Sequence, residues 1–313
     1  MQSAMSIILM VGTAMVMLSS QFPLIRKVSE YSVHLMLGML AFGLISLVCS
    51  RPKMMFAAFA CSAAMCIFLK NASNNTLKLP QVNQEASLKV AHVNLGNITF
   101  DFDQVKSEMN KAEVEVISFQ ELTPDWDYRL KEELEAQYPY TKSIVRIDPY
   151  GMAIYSKVPF ATERTFQCGD KSYLDISVKK DNEPFELISS YLTPALEQNS
   201  IATASQQLKT IASQVKHAEH PVLALGEYNM VYWTNEIREF TTSAALTNSR
   251  RGLTEGLRVP YDHIFFSPGL ECTEFRELKD STQNYIGIIG TYQIKQPQGE
   301  LSLSEQLHDD HRG

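Results

Sequence analysis

The feature that most constrains this chain is the near absence of charge from its first 69 residues, where only Arg26, Lys27, Glu30, Arg51 and Lys53 carry any. A helix of a soluble bundle needs a polar face, and three successive apolar runs leave none. The runs predict three transmembrane helices, at about 4–20, 32–49 and 54–69, together a membrane anchor over residues 1–69. The third is short, but Arg51, Lys53 and Lys70 flank it, and their side chains can snorkel to the interface. A cleaved signal peptide fits the first run poorly, because it lacks a basic leading segment and a small-residue exit and two more apolar runs follow.

The rest of the chain is different material. Residues 70–313 hold 24 basic and 34 acidic side chains, a net −10, against +3 for the first 69. That length supports one large hydrophobic core. A net −10 repels a phosphate backbone, so duplex nucleic acid is disfavoured as a partner. Residues 70–87, polar and without aromatics, are expected to be a linker lifting the domain off the bilayer. Cys168 and Cys272 could pair if the domain is exported, but nothing in the sequence brings them together, and no Cys/His cluster suggests zinc. The tail 295–313, with His308 and His311, is polar and expected to be a solvated end.

Between linker and tail, β-type runs recur at 88–94, 114–120, 152–156, 173–178, 185–191, 222–225, 263–267 and 286–294, with helical patterns at 102–112, 126–137, 197–217 and 234–243. Interleaved strands and helices, with consecutive strands in the middle, predict a layered α/β domain over 88–294 with mixed sheets. Several strands run into polar residues that packing does not demand: Asn94, Gln120-Glu121, and Glu227 with Asn229. The ends of strands are where α/β proteins gather their chemistry.

The ordered set VNLG (93–96), FQEL (119–122), YGMAIYSK (150–157), SSYLTP (189–194), LGEYNMVYW (225–233), RRG (250–252) and PYDHIFFSPG (260–269) resembles the endonuclease/exonuclease/phosphatase superfamily, across about residues 88–294. The resemblance implies a two-sheet α/β sandwich, here preceded by the three transmembrane helices. It also implies hydrolysis of a phosphate ester by water activated at Mg2+ or Mn2+. By motif, Glu121 is the expected carboxylate ligand of that metal with Asn94 beside it. Glu227 falls where the family's aspartate orients or deprotonates the attacking water, and Asn229 where an asparagine donates to the phosphate oxygens. Asp262 matches the aspartate that orients a catalytic histidine. Relatives with similar hydrophobic helices imply a multi-pass protein of the inner membrane, its domain on the extracytoplasmic side.

The chain departs from the family at its C-terminal signature, Ser-Asp-His, which aligns with Gln283-Asn284-Tyr285. Asn284 then stands at a metal-binding aspartate and Tyr285 at the charge-stabilising histidine. Tyr191 stands where many members have histidine, and Glu227 carries its carboxylate one methylene, ~1 Å, farther out than aspartate would. Losing an acid–base group costs about 10²–10⁴ in rate and losing an oxyanion donor about 10²–10³. Three readings stay open: a membrane-anchored metal-dependent phosphoesterase acting on a phosphodiester at the bilayer, a pseudoenzyme using the fold for binding or scaffolding at the membrane, and a vestigial pocket without a ligand.

Overall fold

The structure, a computed structural model, describes residues 2–18, 23–76, 86–97 and 102–295. The apolar N-terminal part forms four helices: α1 (Gln2–Leu18), α2 (Pro23–Glu30), α3 (Ser32–Val48) and α4 (Pro52–Ala72). At 1.5 Å per residue α4 is ~32 Å long, enough for a ~30 Å hydrocarbon layer. It is the one single helix among the described residues that is both long and apolar enough to cross a membrane. The pair α2–α3 meets the same test together but is bent by 74° at Tyr31, and α1 is a shorter apolar helix. Length and composition therefore give one span, or two with the bent pair, where three were expected. The helix α2 itself was not expected; its PLIRKVSE sequence is short and charged and lies between apolar runs.

The remaining chain continues with β1 (Ser87–Asn94), α5 (Phe102–Lys111), β2 (Val116–Gln120), α6 (Pro124–Leu134), β3 (Tyr140–Ile144), β4 (Met152–Ser156), β5 (Phe160–Cys168), β6 (Lys171–Lys180) and β7 (Glu183–Ser189). Then follow α7 (Gln198–His217), β8 (Val222–Glu227), α8 (Asn235–Ser243), β9 (Thr247–Asn248), β10 (Asp262–Phe266), β11 (Leu270–Lys279) and β12 (Tyr285–Ile294). The strands form two six-stranded mixed sheets, ordered β11-β12-β1-β2-β4-β3 and β5-β6-β7-β8-β10-β9. These make the α/β sandwich expected from sequence.

Successive side chains of a strand alternate between faces. Ala91, Val93, Ile117 and Phe119 of the first sheet pack with Phe102, Val105 and Met109 of α5 and Leu130 and Leu134 of α6. Leu88, Val90, Val116 and Ile154 share a second core with Leu187, Leu223, Leu225 and Ile264 of the other sheet. Along that inner face β1 turns from Leu88 and Val90 to His92 and Asn94, and β2 from Val116 to Ser118 and Gln120, all buried. One end of the sandwich interior is thus apolar and the other polar. Ser118 meets Ser189 across the sheets at 2.8 Å, where the polarity changes.

The N-terminal helices are docked on the sandwich. Val33 and Leu69 belong to the inter-sheet core. Arg26 pairs with Glu236 at 2.6 Å, the Trp233 indole N–H donates to the Ser29 carbonyl at 2.8 Å, and the Tyr261 hydroxyl donates to Glu30 at 2.7 Å. Residues 70–76 do not behave as a free spacer: α4 continues to Ala72, the Asn74 amide donates to the Arg250 carbonyl at 2.9 Å, and Arg251 donates to the Thr76 carbonyl at 3.1 Å. The rest of the expected linker, 77–85, and the tail 296–313 with His308 and His311 lie outside the described residues. Cys168 and Cys272 are both free, buried thiols. Trp233 joins the sandwich to α2, and Arg250 is buried against Glu277 at 3.1 Å.

Candidate active site

The polar end of the sandwich interior brings together most of the residues singled out in the sequence. β8 and β10 are antiparallel, and Glu227 and Asp262 are direct partners across the ladder, so their side chains share a face. Asn94, at the end of β1, lies between two carboxylates: its amide nitrogen donates to Glu121 at 3.0 Å and makes a short bond to Glu227. The Asn94 carbonyl oxygen accepts from the Gly96 amide at 2.8 Å, which fixes the orientation of the side chain.

Two backbone features hold these groups in place. Glu121 leaves β2 at φ +59° and Asn229 follows β8 at φ +51°, a left-handed conformation that costs a non-glycine residue about 1–2 kcal/mol. Such strain collects where surroundings over-determine a position. Gly96 leaves room for the Glu121 carboxylate; a Cβ there would stand 1.9 Å from Glu121 Oε2.

Charge is unevenly compensated. Burial, together with the Asp262 carboxylate across the ladder and Glu121 nearby, pushes the Glu227 carboxyl up to about 8, against the opposing bond from Asn94. Asp262 goes the other way: burial alone would raise it, but the hydrogen bond from His92, at 3.2 Å, and the pull of Arg258 and Tyr285 hold it at about 2. Tyr285 donates a short hydrogen bond to the other Asp262 oxygen. Burial first, then the charge of Glu227, raises the Tyr191 phenol above its ordinary range. Its hydroxyl lies 3.4 Å from Glu121. The Asn229 amide donates to the Leu192 carbonyl at 2.8 Å.

Asn284, expected to approach the metal, makes its side-chain hydrogen bonds within its own loop. The loop between β11 and β12 closes on itself: Asp280 accepts from the Thr282 and Asn284 amides at 2.8 Å each, and the exposed Asn284 side chain donates back to Asp280 at 3.1 Å and to Thr282 at 2.6 Å. A side chain captured by its own turn is not offered to the cleft.

Gln120, singled out in the sequence beside Glu121, is buried and ties the two sheets, accepting from the Glu227 amide at 2.8 Å and donating to the Ser190 carbonyl at 2.7 Å. Three contributors were missed. His92 lies two residues before Asn94 on the same face of β1, and an inward polar residue in an apolar strand was the available signal. Arg258 and Tyr31 gave none, the first in an irregular loop and the second at a helix junction. Both line a cleft of about 530 Å³ with Glu227, Asp262, Tyr285 and Tyr261. A larger groove, about 790 Å³, opens at the other end of β1, but it is no rival as a site. There Lys89 and Lys180 are already paired with Glu113 and Glu115 at 3.2 and 2.7 Å.

Among the described residues no three His, Cys, Asp or Glu side chains converge closely enough to hold a metal by themselves. The donor set nonetheless fits a hard cation that keeps most of its waters. Glu121 and Glu227 offer carboxylate oxygens on either side of the Asn94 amide, and Mg2+ is commonly held by one or two carboxylates plus substrate phosphate.

Residues 91–283 match the model of the Endonuclease/Exonuclease/phosphatase family. No curated protein sequence matches the chain significantly. In three dimensions the chain is similar to D. rerio TDP2 complexed with single strand DNA product, at 16% identity and TM-score 0.52 over 66% of this chain and 98% of that one. It is similar to the human Nocturnin catalytic domain with bound sulfate anion, at 13% identity and TM-score 0.53 over 68% and 97%. It also resembles an endonuclease/exonuclease/phosphatase from Beutenbergia cavernae DSM 12333, at 14% identity and TM-score 0.54 over 67% and 72%. At such identities the likeness is one of fold.

Proposed function

This chain belongs to the endonuclease/exonuclease/phosphatase family, and from that premise we propose that it is a membrane-anchored, divalent-metal-dependent phosphoesterase. The observation that carries the proposal is the meeting of Glu121 and Glu227 at the Asn94 amide, with Asp262 beside Glu227 in the cleft and less positive charge than negative around them. Buried carboxylates without partners take up protons or cations, and the Glu227 carboxyl, pushed to about 8, registers that deficit. Glu121 and Asn94 would hold the metal, which when bound supplies charge neutralisation at the phosphate and acidifies a bound water. Glu227 then orients or accepts a proton from water, Asn229 and Tyr191 bound the site from the β7–β8 side, and Asp262 stays ionised to fix Tyr285. D. rerio TDP2 with a single strand DNA product and Nocturnin with sulfate both hold phosphate-like anions on this fold, which supports the substrate class.

Anchoring is supported by α4, with Phe56 at 68% exposure, and by the apolar outer faces of its neighbours, with Ile8 at 70% and Val48 at 84%. A surface of that kind is stable against lipid rather than water.

A second reading, binding of a phosphate ester without turnover, is favoured by one observation: the signature positions are spent locally, Asn284 on Asp280 and the Tyr285 hydroxyl on Asp262. Hydrolysis of bis(4-nitrophenyl) phosphate by the full chain in detergent, with Mg2+ or Mn2+, separates the two. The first reading expects metal-dependent turnover that falls at least about 10²-fold in Glu121→Gln. Equal background rates from both folded proteins leave the binding reading.

A further inference from the structure

The Tyr285 ring, at the position where the family's signature has histidine, carries a cation of its own. The Arg258 guanidinium carbon stands 3.4 Å from the ring centroid, and the same arginine lines the cleft with Glu227 and Asp262. We propose that Arg258, stacked on Tyr285, is the phosphate-binding cation of this cleft and does by fixed charge what a histidine would do by protonation. This rests on the phosphoester reading of the cleft.

Arg258 is poorly satisfied by the protein around it. Its Nη2 is 3.4 Å from Glu277, its Nη1 3.9 Å from Asp262 and 3.2 Å from the Val259 carbonyl, and its buried Nε has no hydrogen-bond partner. Glu277 is not its own counter-ion. The same Glu277 oxygen accepts from Arg250 at 3.1 Å, and Arg250, 4% exposed, has Nε and Nη2 without partners. Arg258 thus shares Glu277 with Arg250, and its other carboxylate, Asp262, 3.9 Å away, already accepts from His92 and Tyr285, so the guanidinium charge is incompletely paired where it lines the cleft beside Glu227. A phosphate ester bound there would meet this cation while reaching toward the proposed metal at Glu121. Arginine suits this role because its planar fork matches two phosphate oxygens and it cannot lose its proton in the physiological range. The aromatic face below adds cation–π attraction and holds the fork in one plane. The Tyr285 hydroxyl is committed to Asp262, so its ring is left as the platform.

The test measures inorganic phosphate binding to the full chain in detergent micelles with Mg2+ present, by calorimetry, alongside hydrolysis of bis(4-nitrophenyl) phosphate. Arg258→Ala should weaken phosphate about 10- to 100-fold, the range of a lost charge-assisted contact, and Arg258→Lys should restore only part of it. Tyr285→Phe should keep the affinity within about threefold, since the ring remains, whereas Tyr285→Leu should weaken it. A melting curve for each variant separates loss of binding from loss of fold. If turnover is present, Arg258→Lys should act at the same pH as the parent, without the acid limb a histidine would give. If turnover is absent from wild type and Glu121→Gln alike, the phosphoesterase reading fails while phosphate affinity still decides the role of Arg258. A folded Arg258→Ala protein that binds phosphate as well as wild type, or a wild type that binds none at millimolar phosphate, overturns the proposal.

Discussion

At the scale of single residues, the site depends on atoms that are missing as much as on those present. Gly96→Ala would press a methyl to within 1.9 Å of the Glu121 carboxylate, so Glu121 must leave its place beside Asn94. Turnover should fall roughly tenfold or more, since about 1 Å of misplacement is costly in catalysis, with little change in melting temperature because Gly96 itself is exposed. His263 makes a second residue-scale prediction. Burial first, opposed by its bond to the Met230 carbonyl at 2.8 Å, lowers its pKa to about 4, so it is neutral in the folded protein. The unfolded chain takes up that proton near 6.5. His263 therefore contributes stability that is complete above pH 6.5 and is lost as pH falls toward 4, about 2 kcal/mol by pH 5. Burial raises Glu186 and Glu227 and gives them the opposite slope, so the comparison is with His263→Gln, whose melting temperature should fall less between pH 7.5 and pH 5 than that of the parent.

At the scale of elements, α2 decides how the apolar helices meet the sandwich. Its eight residues spend Arg26, Ser29 and Glu30 on Glu236, Trp233 and Tyr261, while Leu24 on the opposite face is 78% exposed. Arg26→Ala would leave the Glu236 carboxylate without its partner. A fully buried pair broken this way costs about 3–5 kcal/mol, and since Glu236 retains some solvent, about 2–3 is expected here. Faster proteolysis between residues 19 and 31, with a lowered melting temperature, would show it; an unchanged cleavage pattern would mean that α2 is held by its other contacts. The strands divide along similar lines. Each of the eight strands expected from sequence is present, while β3, β5, β9 and β11 were unforeseen, and these four are the edges of the two sheets. Edge strands stay polar to avoid pairing with other chains, and β5, FATERTFQC, is mostly exposed. A search for apolar runs passes over them for that reason.

At the scale of the whole molecule, the described residues of the apolar N-terminal part and of the acidic part pack against each other, joined through Val33, Leu69 and the contacts of α2. The cleft lies at that junction, with Tyr31 on its rim, so the N-terminal helices form part of its wall.

The sequence by itself determined whatever depends on neighbours along the chain. Charge-free runs make apolar helices whatever they pack against. Alternating apolar residues make central strands, and polar residues at strand ends mark Asn94, Glu121 and Glu227, while Asp262 is marked by the motif it shares with the family. Tertiary structure alone decided what depends on partners far along the chain: the Arg26–Glu236 pair across 210 residues, the meeting of His92 and Asp262 across 170, and Arg258 above Tyr285. The same holds for Asn284, whose residue type suits a ligand but whose turn keeps it on Asp280. A residue type states what a side chain is able to bind, and only the folded chain fixes which partner reaches it first.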